Sequence, residues 1–259
     1  MLDWTHPLFW FLLLIATSAG LAAARSGLAR ILDSGDPVFG LAYAIAWAWI
    51  RLFHRYRIVY DAPPPEPFPT GGCLVLSNHA SGLDPIALQL AIPRKLAWMM
   101  AQEQMHPALA RHWRRFHLIP VTYGPRDTGA LREAVRTVRG GGILGIFPEA
   151  GIVRPPREVR PFLEGAGLVA SMSGAPILLY WIDGAPYAET AYGALLRPSR
   201  TRVHFLGEYR FVKGTPAGEI VGAMRARVLE ASGWAANEVP LPGGRNGPGR
   251  TDSPIPSPE

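Results

Sequence analysis

The sequence predicts an α/β fold: a mixed, largely parallel sheet flanked by helices, preceded by an N-terminal membrane-associated helix pair. Three observations predict it. From Gly72 onward, runs of strand type alternate with runs of helix type, the pattern of a layered domain with a largely parallel sheet. Upstream, no charged residue falls between Asp3 and Arg25. At 259 residues, the chain is long enough for one large domain plus an anchor.

The uncharged run contains "PLFWFLLLIATSAGLAAA", long enough as a helix to cross about 30 Å of hydrocarbon, which needs roughly 20 residues. "LAAARS" also offers the small-x-small pattern of a cleaved signal. However, the residues ahead of the run carry Asp3 and no Lys or Arg, whereas a secretory leader is positive there. Residues 1–34 are therefore expected to form a retained anchor. Arg25 and Arg30 follow the run, which sets its C-terminal side on the cytoplasmic face of the cytoplasmic (cell inner) membrane.

Residues 35–60 read as a second, interfacial helix. "PVFGLAYAIAWAWI" is 14 residues long, short for a span. Phe39, Tyr43 and Trp47 form one stripe of a helix, and Arg51, Arg55 and Arg57 follow, suited to anionic headgroups. The same stripe also suits a core helix of the next domain. "DAPPPEPFPTGG" is then a stiff, proline-rich linker.

Residues 61–238 read as the main domain. Its strand-like runs are "CLVLSN", "LAWMM", "LIPVTY", "GILGIF", "PILLYWI" and "RVHFLGEY". Helix-like segments are Asp84 to Ile92, Pro107 to Phe116, Thr128 to Arg139 and Gly165 to Met172. A last helix, about Thr215 to Ala231, has Thr215 as expected N-cap and Pro216 at its first position. Residues 239–259 hold ten Pro or Gly among 21 and cannot bury a core, so they read as a disordered tail.

Sites in open α/β sheets collect at the carboxyl ends of strands. One such end is "CLVLSNHASGLDPIAL", where His79 closes an apolar run and Asp84-Pro85 opens a helix. Taken alone, the pair reads as a loop histidine and a helix cap. Chemically, a carboxylate accepting from one imidazole nitrogen fixes the tautomer and raises the basicity of the other. That is a general base for a hydroxyl. Ser81 raises a serine hydrolase as a rival, but no G-x-S-x-G elbow exists and Ser81 stands only two residues from His79.

A second cluster, "GILGIFPEAGIVRPPREVR", ends a strand with Phe147-Pro148-Glu149 and continues with Arg154, Arg157 and Arg160. Guanidinium groups at a strand end suit a phosphate through forked hydrogen bonds, although a basic loop is also an ordinary solvated face. A third piece, "IPVTYGPRD", sets Arg126 shortly after a strand.

Formal net charge is +6, which favours an anionic partner surface. No zinc-finger, RNA-recognition or helix-turn-helix signature accompanies it, so no nucleic acid partner is expected. The single cysteine, Cys73, excludes an internal disulfide and a cysteine-rich metal site.

In order and spacing, these pieces resemble the lysophosphatidic acid acyltransferase (glycerophospholipid acyltransferase) family. That family's Asn-His-x-x-x-x-Asp block corresponds to Asn78 through Asp84, and its Phe-Pro-Glu-Gly block to "FPEA" from Phe147. A proline-containing strand follows, here "APILLYWI". "PFLEGAGLVA" and "RKLAWMMAQEQM" are similar to the family's connecting segments. The resemblance covers about Gly72 to Gly184.

It implies transfer of a fatty acyl group from acyl-CoA or acyl-carrier protein to 1-acylglycerol 3-phosphate, in phospholipid biosynthesis, with no metal and no cofactor beyond the donor. His79 and Asp84 would be catalytic, and Arg126, Glu149, Gly151 and Arg154 would bind substrate. Two departures fall in the phosphate-gripping parts. Thr122-Tyr123 stands where a basic residue is usual, and Ala150-Gly151-Ile152 stands where Gly-Thr-Arg is usual. On this reading Arg126 and Arg154 supply the missing charges. Two alternatives stay open: an acceptor without a terminal phosphate (a glycolipid or lysophospholipid), and a non-catalytic lipid-binding membrane protein.

Overall fold

The computed structural model describes residues 7–105, 113, 115–122, 128–154, 156–188 and 190–241. The chain begins with helices α1 (Pro7–Arg30) and α2 (Pro37–Phe53), then strands β1 (Arg57–Tyr60) and β2 (Cys73–Leu76). Next come α3 (Asp84–Ala91), β3 (Leu96–Ala101), β4 (Leu118–Val121), α4 (Thr128–Arg139) and β5 (Ile143–Ile146). A two-residue β6 (Glu158–Val159), α5 (Glu164–Ser173), β7 (Ile177–Asp183) and a short α6 (Ala191–Ala194) follow. The last elements are β8 (Arg202–Tyr209), α7 (Ala217–Ser232) and β9 (Ala235–Ala236).

The seven-stranded sheet has the order β1-β8-β7-β2-β5-β3-β4. Every neighbouring pair is parallel except β7 with β8. The central strands β2, β5 and β7 are apolar on both faces because both faces are covered, as parallel sheets require. Successive side chains alternate between the layers. Leu74, Leu76, Leu144, Ile146, Ile177 and Leu179 pack with α4, α5 and α7. Cys73, Val75, Ile143, Leu178, Tyr180 and Ile182 pack on the other face with Ile50 of α2 and Ala87 and Leu88 of α3.

Asp36 caps α2, its Oδ1 accepting from the backbone N–H of Val38 and Phe39, with Pro37 at the first turn. Its Oδ2 meets Arg115 Nε at 2.8 Å. α2 lies so close on α1 that a Cβ at Gly40 would stand 1.9 Å from the Leu28 carbonyl oxygen, so this crossing requires glycine.

Four expectations change. Residues 35–60 are not one helix: α2 ends at Phe53, and Arg57–Tyr60 pairs in parallel with β8. The proline-rich stretch therefore lies between two strands of the same sheet rather than between anchor and domain. The lipid-facing stripe is divided, since Phe39 is buried while Trp47 is half exposed with the Arg51 guanidinium 5.0 Å from its ring centroid. Thr215 does not cap the last helix; Pro216 holds that position and the Thr215 hydroxyl donates to Val212.

The transmembrane expectation for residues 1–34 is not carried by the structure: among the described residues, no helix is long and apolar enough to cross a membrane. From Thr17 on, α1 is rich in Ala, Gly and Ser and continues through Arg25 and Arg30. Residues 1–6 and the side chains of residues 7–13, 15, 16 and 33 lie outside the described residues, as do most of Pro107 to Phe116 and the tail from residue 242.

Ile50 is fully buried against the sheet. Ile50→Ala should cost about 2–5 kcal/mol of stability, whereas Trp47→Ala should change it by no more than about 0.5 kcal/mol. Denaturant midpoints of the two variants measure the difference, and equal midpoints would detach α2 from the core.

Candidate active site

The carboxyl ends of β2, β5 and β7 open on one edge, and two loops there are tied to each other by carboxylates. The first loop is Ser77 to Leu83. Asn78, buried at its start, pairs with β7 as a backbone would: its amide donates to the Ile182 carbonyl at 3.2 Å and its Oδ1 accepts from the Ile182 N–H at 2.7 Å. The strand direction is thereby held for two residues past β2, and His79 emerges at the edge.

Asp84 is fully buried and turns back into this loop. Its Oδ2 accepts from His79 Nδ1 at 2.9 Å and from the backbone N–H groups of Ala80 (2.8 Å) and Ser81 (2.7 Å). Asp84 is therefore not the cap of α3. Leu83 occupies that position without a side-chain bond. With a carboxylate facing Nδ1, the proton resides on Nδ1 and the lone pair on Nε2.

The second loop follows β5. Phe147 stacks on the His79 ring, centroids 4.1 Å apart and planes at 15°, and Trp98 of β3 stacks on Phe147 at 5.4 Å and 12°. Glu149, expected to contact substrate, is instead buried with both oxygens engaged. Oε2 accepts from the His79 backbone N–H at 2.7 Å and Oε1 from the Arg160 N–H at 2.9 Å. Burial pushes its carboxyl up to about 7, opposed by these two hydrogen bonds. The His79 carbonyl in turn accepts from Val153 N–H at 2.8 Å, closing the tie.

Gly151 and Arg154 line, together with His79, an open groove of about 2070 Å³. Arg154 donates through Nη2 to the Ala188 carbonyl at 3.2 Å. Its Nε is buried and has no partner among the described residues. Arg126 lies outside the described residues. Ser81 is buried, donating its hydroxyl to the Pro186 carbonyl at 2.8 Å, which removes it as a nucleophile.

Sequence reasoning missed two contributions. In the sequence Trp98 carries only the signal of a strand residue. Arg225 of α7 also went unnoticed: it donates to the carbonyls of Val159, Arg160 and Asn237 and pairs with Glu238. It thus binds the segment after β9 to the end of the arginine-bearing loop. The leading signal for such a role, an arginine on the polar side of a helix, is common to most surface helices.

A family model described as Acyltransferase matches residues 62–183, which include His79, Asp84, Glu149, Gly151 and Arg154. The fold is similar to the crystal structure of the 1-acyl-sn-glycerophosphate (LPA) acyltransferase PlsC from Thermotoga maritima. The TM-score is 0.58 at 22% identity, covering 86% of this chain and 92% of that one.

The Glu149 tie has a measurable signature. Glutamine keeps the shape but offers one acceptor oxygen where two N–H groups point, so Glu149→Gln should lose about 1–3 kcal/mol. Burial raises the folded-state value above the ordinary 4.5, so this carboxyl contributes most below about 4.5 and progressively less as pH rises to about 7. The Tm gap between wild type and Glu149→Gln should narrow across that window. A gap that widens with pH would contradict the burial.

Proposed function

We propose, from the premise that residues 62–183 form an acyltransferase-family domain, that this enzyme acylates the free hydroxyl of 1-acylglycerol 3-phosphate at a membrane surface. The donor is the thioester of acyl-CoA or acyl-carrier protein, and the step belongs to phospholipid biosynthesis. The observation that carries the reading is the His79–Asp84 pair, with Nδ1 and Oδ2 at 2.9 Å, at the wall of a groove that also contains Arg154.

His79 Nε2 takes the acceptor hydroxyl proton as that oxygen attacks the thioester carbonyl. Asp84 holds the ring and stabilises the imidazolium that forms. The tetrahedral intermediate collapses, the C–S bond breaks, and the departing thiolate takes the proton from Nε2. The oxygen ester and the free thiol leave together. No acyl-enzyme is formed.

Arg154, which lines the groove with His79, grips the acceptor phosphate on this reading. Gly151 keeps the adjoining wall low. Arg126 is assigned a supporting charge by its sequence position alone. Glu149 acts by ordering the His79 loop.

The α1–α2 pair attaches the domain to the cytoplasmic face of the membrane. α2 presents Leu41, Ile45, Trp47 and Leu52 outward beside Arg51, apolar area and charge suited to a lipid interface.

His79→Ala should lower the transfer rate by about 10²–10⁴. Asp84→Asn can still accept from Ala80 and Ser81 but lacks the charge that supports imidazolium, so its rate should fall steeply with a smaller change in Tm. Wild-type turnover by His79→Ala would overturn the mechanism.

Arg154→Ala should chiefly raise KM for 1-acylglycerol 3-phosphate, by roughly 10- to 150-fold for a charge-assisted contact of about 1.5–3 kcal/mol. Arg157→Ala, at an exposed position, is the control. Equal, mild effects in both would favour an acceptor without a phosphate.

A further inference from the structure

The imidazole of His79 is held on one edge by Asp84, which restrains the ring at a single atom. With the Cβ–Cγ bond as the other point of attachment, the freedom left to the ring is the tilt of its plane. Its face is where the remaining restraint lies. Phe147 covers that face nearly parallel, and Trp98 covers the far side of Phe147. The three rings come from three neighbouring parts of the sheet edge: the loop after β2, the loop after β5, and β3 itself. β5 lies between β2 and β3 in the sheet, so the order of the rings follows the order of the strands.

What lets Trp98 lie flat in this column is Gly145, its register partner on β5. A Cβ at Gly145 would stand 2.5, 2.6 and 2.9 Å from three carbons of the Trp98 six-membered ring. Any side chain there displaces the indole and removes the backing of Phe147. Phe147 and Trp98 pack against the core on one side, but neither is fully buried and both line the groove with His79.

We infer that Phe147, backed by Trp98 over Gly145, is a positioning residue that fixes the plane of the His79 imidazole and so aims Nε2 at the acceptor hydroxyl. This rests on the reading of His79 as the general base. The stack also has an electrostatic consequence. The charged groups on this ring's surroundings are Asp84 from α3, Glu149 on its backbone N–H, and Arg154 farther along the groove. Phe147 adds the negative face of an aromatic ring, which attracts the imidazolium as the hydroxyl proton arrives. Aromaticity at position 147 therefore matters in the transition state more than in substrate binding.

The experiment has two arms on the full chain. In the first, steady-state kinetics are measured for Phe147→Leu and Phe147→Tyr with acyl-CoA and 1-acylglycerol 3-phosphate. Phe147→Leu should lower kcat by up to about 10²-fold, the scale of a misaimed catalytic group, with KM for the acceptor within about threefold. Phe147→Tyr should restore most of kcat because it restores the ring. Gly145→Ala should reproduce part of the loss through Trp98. If that variant fails to fold, Trp98→Leu replaces it and carries the same expectation.

In the second arm, the His79 Cε1–H signal is followed by NMR in histidine-labelled protein, assigned by its loss in His79→Ala. A parallel ring 4.1 Å away shifts that proton upfield, and the shift should vanish in Phe147→Leu and return in Phe147→Tyr. This arm needs no turnover. An inactive wild-type enzyme with the ring shift present would overturn the acyltransfer reading and leave the stack intact. An unshifted signal, a Phe147→Leu enzyme with wild-type kcat, or a loss confined to KM would overturn the positioning role.

Discussion

A single carboxylate oxygen organises this site. Asp84 Oδ2 accepts three hydrogen bonds within 2.9 Å, two from consecutive backbone N–H groups and one from the His79 ring. The loop carrying the imidazole and the imidazole itself are thereby referenced to one atom, which is fully buried at the first turn of α3. A buried charge left without partners would be costly, and here the partners are the groups that need placing. The same bonds shape the loop and set the ring's tautomer.

The sheet supplies the frame in which that atom has a fixed position. The direction of β2 is carried on to Asn78, whose side chain imitates a strand pairing with β7, and the parallel partner β5 delivers Phe147 and Glu149 alongside. Glu149 then joins His79 to Arg160, and Arg225 joins Arg160 to the segment after β9. The His79 loop, the arginine-bearing loop and the C-terminal segment form one connected set of polar contacts on a parallel-sheet edge. The groove lined by His79 and Arg154 lies beside them.

Much of this was legible in the residues. β2, β5 and β7 read as strands because strands covered on both faces must be apolar without interruption. The six strand-like runs after Gly72, and four of the five helix-like segments, end within two residues of the observed elements. β1 was not legible: "RIVY" is half exposed and becomes a strand only because β8 offers it an edge. The His79–Asp84 pairing was readable from spacing, but the direction of Asp84 was not, since an aspartate at a helix start ordinarily caps it. The burial of Glu149 was not legible for a similar reason. Its partner N–H lies 70 residues away, and local sequence carries no mark of so distant a bond. The Trp98–Phe147–His79 column likewise depends on strand order, which brings β3, β5 and β2 side by side.

The account rests on direct transfer between two bound substrates, without a covalent intermediate on the protein. The most direct measurement is mass spectrometry of both lipid and protein after the purified full-length chain is mixed with acyl-CoA and a panel of lyso-acceptors. The account predicts a diacyl product from 1-acylglycerol 3-phosphate in preference to acceptors lacking the phosphate, stoichiometric free CoA, and an unmodified protein mass. A protein carrying an acyl group, or CoA released with free fatty acid and no acylated lipid, would contradict it.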